Sequence, residues 1–167
     1  MATRTDFSPE QWQALRNAPQ LVALATAAAG NSGFFGSLSE GMAMATTMAA
    51  ALRGEQPLLK ELFAKDEMQA AQDQIKGMLR TATDRTALNA YLQKAATDAT
   101  SAALAALSAK GDTADAAAFR TLLAGIGDKV ANASKEGGFL GIGGESVSEG
   151  ERQFLTQLNA LVGTTLA

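Results

Sequence analysis

The sequence predicts an all-α protein of about seven helices, packed as a single bundle-like domain with an internal pseudo-twofold repeat. Three observations support this class. Apolar residues recur at spacings of three and four along most of the chain, which is the pattern of amphipathic helices. Capping residues, prolines or glycines bound each of these segments. No stretch alternates between apolar and polar residues as a half-buried strand does.

The first predicted helix begins at Ser8, because a capping serine, Pro9 at the first helical position and Gln11 at the third form a capping box. Pro19 is expected to open a second helix, since proline suits the first turn of a helix better than its interior. This second helix is expected to end at the glycine-rich stretch that starts with Gly30.

The sequence pattern in the middle of the chain predicts three further helices. One begins at Ser39 and stops at Gly54. The next starts at Pro57, which fits a first turn, and carries an apolar face to residue 79 with a break near Lys65. A long helix over residues 84–109 follows.

Two more helices complete the count. Asp112 caps a sixth helix, and Gly111 before it closes the preceding one. Gly127 lies inside this sixth helix, where glycine costs up to about 1 kcal/mol relative to alanine, so close helix packing is expected there. Ser148 and Glu151 form a capping box for the last helix, which runs to about residue 162.

Alanine supplies much of the apolar content, so the few large side chains are expected to carry a disproportionate share of core stability. Those expected in the core are Trp12, Phe34, Phe35, Phe63, Phe119, Phe139 and Phe154. Tyr91 is also expected to face inward, because it lies at helical spacing from other apolar residues.

The charge pattern and the missing residue types exclude several functions. The net charge is -3 and no segment carries a basic stripe, so nucleic-acid binding has no electrostatic source. The chain contains no histidine and no cysteine, which removes the common zinc sites and the Ser-His and Cys-His nucleophile pairs. A non-catalytic role is therefore expected, without a cofactor.

The first residues lack the apolar segment of a secretory signal, so a cytoplasmic location is expected. Between residues 21 and 52 the only ionisable side chain is Glu40, and this length can cross a bilayer. Glycine-rich breaks cut the stretch into short pieces, and alanine, serine and threonine give little transfer energy. Peripheral membrane contact is thus the alternative to a purely soluble protein.

Two segments of the chain repeat each other. Residues 33–41 read GFFGSLSEG, and residues 138–150 read GFLG, a four-residue insertion, then SVSEG. In each copy an alanine-rich helix precedes the loop and an amphipathic helix follows it. The predicted organisation is therefore one repeat unit over about 9–54, central helices over about 57–110, and a second unit over about 113–163, packed about a pseudo-twofold axis.

The two glycine-rich loops are the candidate partner-binding surface. Their apolar residues either pack into the core, or they are exposed and form an apolar contact surface for a protein partner or a bilayer. In the second interpretation the binding residues are Phe34, Phe35, Gly36, Phe139, Leu140, Gly141 and Ile142. Self-association through alanine-rich helix faces is a further alternative.

Carboxylates near the loops suggest a divalent-cation sensor as another alternative, because calcium and magnesium prefer oxygen ligands. The candidate ligands are Glu40, Glu136, Glu145 and Glu149. They lack the alternating spacing of a dedicated calcium loop. Glu149 also suits a helix start, where a carboxylate interacts favourably with the helix dipole.

The order of parts resembles the TerB-like helical domain of tellurite-resistance proteins and certain membrane-tethered DnaJ co-chaperones. The closest local similarity is Val147-Ser148-Glu149-Gly150-Glu151 followed by Phe154 and Leu155. The resemblance implies two copies of a helical hairpin and a stress-associated interaction module. Where the family's loops place Asp-Gly, this chain has Asn31-Ser32-Gly33 and Glu136-Gly137-Gly138, so the family's acidic metal surface is largely missing here.

Overall fold

The structure, a computed structural model, describes residues 2–30, 56–80, 84–136 and 148–163. Within these ranges the chain is helical and contains no strand, which confirms the all-α prediction. In the described ranges, a 3-10 turn at Arg4–Asp6 precedes six α-helices. They are α1 (Pro9–Ala29), α2 (Pro57–Leu62), α3 (Lys65–Leu79), α4 (Arg85–Ala109), α5 (Thr113–Glu136) and α6 (Glu149–Val162).

Helix α1 is the centre of the bundle, because it packs against α3, α4, α5 and α6. Its most extensive interface is with α4. Its residues Leu15, Val22 and Leu24 are fully buried. Among the large side chains expected in the core, Trp12, Phe63, Phe119 and Phe154 are buried, while Phe34, Phe35 and Phe139 lie outside the described residues. None of the helices in the described ranges has both the length and the apolarity to cross a bilayer.

Pro19 does not open a new helix, contrary to the prediction. It lies inside α1, which continues without interruption to Ala29. An interior proline removes one backbone hydrogen bond and costs about 3 kcal/mol or more. Burial on both sides of Pro19 offsets this cost, since Leu15, Ala18 and Val22 are all completely shielded from solvent.

The helix starts predicted at Ser8, Asp84 and Ser148 are confirmed at atomic detail. The Ser8 hydroxyl accepts a hydrogen bond from the Gln11 backbone amide at 3.2 Å, and the Ser8 backbone amide donates to the Gln11 side-chain oxygen at 2.9 Å. Ser148 and Glu151 form the same reciprocal pair at the start of α6. The Asp84 carboxylate accepts from the Ala87 amide at 2.8 Å and caps α4.

Helices α5 and α6 approach closely at Gly127, as expected. A Cβ atom at this position would lie 2.8 Å from Leu155 Cδ2 and 3.0 Å from Leu158 Cδ2. Glycine at this position lets the two leucine side chains of α6 pack directly against α5, and an alanine there would require these side chains to shift. Gly111, between α4 and α5, has a φ of 70°, the left-handed conformation that glycine adopts without strain.

The break expected near Lys65 is present as Phe63 and Ala64, between α2 and α3. The helix predicted to begin at Ser39 lies outside the described residues. So do residues 33–41 and most of residues 138–150, which carry the matched loops. The pseudo-twofold repeat and the unit boundaries over 9–54, 57–110 and 113–163 therefore remain predictions.

Candidate functional site: a groove between three helices

A concave groove of about 440 Å³ lies between α1, α3 and α4. Helices α1 and α4 run side by side and form its floor, and α3 closes one side. The volume lies within the range of pockets that bind ligands or partner side chains. We therefore take this groove as the candidate functional site.

Small side chains line the floor of the groove. Helix α1 contributes Ala14, and α4 contributes Ala95, Ala99 and Ala102. The α4 residues follow one another at spacings of four and three, so they form one stripe along the helix. Because alanine projects little beyond the backbone, another helix can approach this stripe closely.

Larger apolar groups stand at the edges of the floor. Tyr91 at one end of the α4 stripe is 38% exposed, and Met78 of α3 is half-buried on the side wall. Leu21 of α1 closes the bottom and is buried. The groove thus combines a flat small-residue floor with a few adaptable or aromatic contacts.

Tyr91 was expected in the core, and this expectation is wrong. Leu88 and Leu92 define the buried face of α4, with 5% and 0% exposure. At about 100° per residue, Tyr91 lies about 60° outside this pair on the helical wheel, at the border of the buried face. Leu161 is exposed for the same reason, because Leu158 and Val162 bury the inner face of α6.

Polar groups form the rim of the groove. The Lys94 ammonium donates to the Asp98 carboxylate at 2.5 Å, one helical turn away on α4. Glu10 of α1 lies on the opposite rim. Its own backbone N–H and the Ser8 hydroxyl donate to its carboxylate and lower the pKa of Glu10, so that this carboxylate stays charged near neutral pH.

An ion cluster around the buried Glu67 fixes the side wall of the groove. Glu67 of α3 is 5% exposed and accepts from both Arg4 and Arg16. Arg16 of α1 also donates to the Gln74 side chain at 2.8 Å, and Gln74 lines the groove. Helix α3 is therefore held against α1 at a defined position.

The same cluster holds the N-terminal arm, residues 2–7, against the bundle. The Ala2 amide donates to Asp115 at 2.5 Å, and the Arg4 amide donates to Glu61 at 2.8 Å. Phe7 is buried with its ring centroid 6.1 Å from that of Trp12. The sequence did not reveal this arm, because Ala2 and Arg4 contact residues more than fifty positions away.

No family model, no curated protein and no solved structure matches this chain.

The loop residues predicted to bind a partner lie outside the described part of the chain: Phe34, Phe35, Gly36, Phe139, Leu140, Gly141 and Ile142. Two of the predicted cation ligands, Glu40 and Glu145, lie outside it as well, and of Glu136 only the backbone at the end of α5 is described. Glu149 is exposed and accepts from Gln153 at 3.1 Å. The residues that are described contain no group of three acidic side chains arranged to hold a metal ion.

Proposed function

We propose that this chain is a non-catalytic protein-interaction module whose docking surface is the groove between α1, α3 and α4. The observation that carries the proposal is the exposed Tyr91 beside a stripe of alanines in a concave surface. A large aromatic side chain at the edge of such a groove has an apolar ring face, and burying this face against a partner protein is favourable. Tyrosine is accordingly among the residues that contribute most to protein interfaces.

The shape of the groove suits a helix. Its floor follows α1 from Glu10 to Leu21 and α4 from Tyr91 to Ala102. Each of these two helices therefore contributes about three turns to the floor. A partner helix laid along the floor would present residues at spacings of three and four to the alanine stripe. The rim groups Glu10, Lys94 and Asp98 would then fix its orientation.

The chemistry of the rim supports a binding role. The charged groups of the groove already have partners, since Lys94 pairs with Asp98 and Glu10 accepts from Ser8. The sequence contains no histidine or cysteine to act as a base or nucleophile near neutral pH. An interaction module needs neither.

The finer parts of the proposal rest on sequence alone. They are the TerB-like relationship, a stress-associated role, a cytoplasmic location with peripheral membrane contact as the alternative, and binding without a cofactor. The loops of residues 33–41 and 138–150 are a second candidate surface. The groove differs from these loops because its lining residues lie in the described part of the chain.

Site-specific photocrosslinking tests the proposal. A benzophenone amino acid replaces Tyr91 in one variant and Gln157 in a matched control, since Gln157 is exposed on α6 away from the groove. In cells that express the protein, irradiation is expected to give a discrete protein adduct from position 91 only. Mass spectrometry then identifies the partner.

A second variant ties the adduct to the groove. Ala99→Glu places a charge on the alanine stripe and is expected to abolish the adduct from position 91 without lowering the melting temperature by more than a few degrees. The proposal fails if position 91 gives no protein adduct, or if the adduct is unchanged by Ala99→Glu.

A further inference from the structure

The geometry points to a second copy of this chain as the occupant of the groove, with the two α4 helices packed antiparallel about a twofold axis. This inference rests on the proposed function, since it uses the same surface and names the partner. Twofold dimers are the commonest closed assemblies, and their interfaces must be self-complementary. Three features of α4 meet this requirement.

The first feature is charge. Lys94 and Asp98 lie one turn apart on the exposed side of α4, with side chains 76% and 62% exposed. In an antiparallel pair whose twofold axis passes midway between Lys94 and Asp98 along the exposed side of α4, Lys94 of each copy faces Asp98 of the other. The symmetry forms this contact twice. A parallel pair in register would instead place like charges opposite each other, which is unfavourable.

The second feature is the absence of competing charges. After Arg85, Lys94 and Asp98 are the only charged residues of α4. Residues 101–109 contain only serine, alanine and leucine. The sign pattern of the exposed face therefore specifies one antiparallel register, since a shift of one turn would leave a charge opposite an uncharged residue.

The third feature is shape. In the register that pairs Lys94 with Asp98, Tyr91 of each copy lies opposite residues near Ser101 and Ala102, which are exposed and small. These small side chains leave space for the tyrosine ring. Ala95 and Ala99 lie near the axis, where the two backbones come closest, and alanine permits the smallest separation between helices.

Analytical ultracentrifugation across a concentration series tests the pairing. The wild-type chain is expected to show a monomer-dimer equilibrium. Lys94→Asp leaves only acidic groups on the face, and Asp98→Lys leaves only basic groups. Each variant alone is expected to dissociate about tenfold more readily, because like charges then meet twice across the axis.

Mixing the two variants gives the decisive result. An equimolar mixture of Lys94→Asp and Asp98→Lys pairs an acidic face with a basic one and is expected to restore dimers. The double variant Lys94→Asp with Asp98→Lys restores the wild-type pattern in reversed order and is expected to dimerise as well. Both residues are exposed, so circular dichroism melting is expected to show that every variant folds.

Lys129→Asp is the matched control, since Lys129 is an exposed lysine on α5, outside the groove. It is expected to leave the dimer unchanged. A wild-type chain that stays monomeric at millimolar concentration would overturn the inference and leave the groove available to a different protein. A dimer that survives both single variants, or a mixture that stays monomeric, would overturn it as well by excluding this face or this register.

Discussion

Gly150 of α6 lies against the carbonyl oxygen of Ala29 in α1, so closely that a Cβ atom on Gly150 would be 2.7 Å from that oxygen. Ser148 strengthens the same junction, because its hydroxyl donates to the Ala29 carbonyl at 3.3 Å. On the other side, a Cβ atom on Gly30 would lie 2.8 Å from a carboxylate oxygen of Glu151. The last turn of α1 and the first turn of α6 thus meet backbone to backbone.

Gly150→Ala is expected to destabilise the protein by about 1–3 kcal/mol, the usual cost of overpacking. The obstacle is a backbone oxygen, which cannot move aside as a flexible side chain can. Gly77→Ala in α3 is the control, because a Cβ atom there meets nothing within 4 Å. It is expected to stabilise by up to about 1 kcal/mol through helix propensity. Urea unfolding measures both, and equal effects of the two substitutions would contradict the packing at Gly150.

Removing the carboxylate of Glu67 is expected to destabilise the protein by about 3 kcal/mol, because Glu67→Gln leaves the mostly buried Arg16 without its counter-charge. Glu149→Gln is the comparison. Glu149 and Arg152 are 3.7 Å apart with side chains 71% and 59% exposed, and such surface pairs contribute about 0–1 kcal/mol. Denaturant titration of both variants measures the difference, and a loss at Glu67 no larger than that at Glu149 would show that the cluster does not hold α3 in place.

The stability of the N-terminal arm is expected to depend on pH through Asp6. The Thr3 backbone amide and then the Thr3 hydroxyl donate to this carboxylate and lower the pKa of Asp6 below its usual value of 3.8. A lowered pKa in the folded state contributes stability above the unfolded pKa, and that contribution is lost as the pH falls through the folded pKa.

Asp6→Asn is therefore expected to lower the melting temperature at pH 7. The difference from wild type is expected to stay constant down to about pH 5 and to shrink below pH 4, where the unfolded carboxyl takes up its proton first. Thermal melts at a series of pH values measure this difference. A difference that grows on acidification would have the wrong sign and would exclude the Thr3 contacts as its cause.

Tyr91→Ala is expected to change the stability of the dilute protein by less than about 1 kcal/mol, because the side chain is 38% exposed beside the groove. Leu92→Ala, at the next position of α4, is expected to cost about 2–5 kcal/mol, since Leu92 is completely buried. Thermal or urea unfolding at low micromolar concentration compares the two. A large loss of stability in Tyr91→Ala would show that Tyr91 is part of the core.

Local signals in the sequence predicted most of the helical architecture. The caps at Ser8, Asp84 and Ser148 act within three residues, so the pattern of side chains was sufficient to locate them. Pro19 was misinterpreted because its cost in a helix is local, whereas the burial that offsets it comes from α4 and α5, far away in sequence. Tyr91 was misplaced because periodicity does not resolve the border of a buried face.

The candidate site was not predictable by the same means. The groove needs α1, α3 and α4 at once, and their lining residues span positions 10 to 102. The wall residue Gln74 is positioned by Arg16, and Arg16 by Glu67, through contacts more than fifty residues apart. The signal in the sequence that could have pointed to this face is the isolated Lys94 and Asp98 pair, since α4 carries no other charge after Arg85.

The junction between Ala29 and Gly150 also governs the order in which the protein can fold during synthesis. Domains tend to fold as units, beginning with the segments that leave the ribosome first. Here α1 is completed by α6, which is synthesised later, across a loop of more than a hundred residues whose closure is entropically costly. A nascent chain that lacks α6 therefore keeps one face of α1 uncovered, and the packing of that face waits for α6 to emerge.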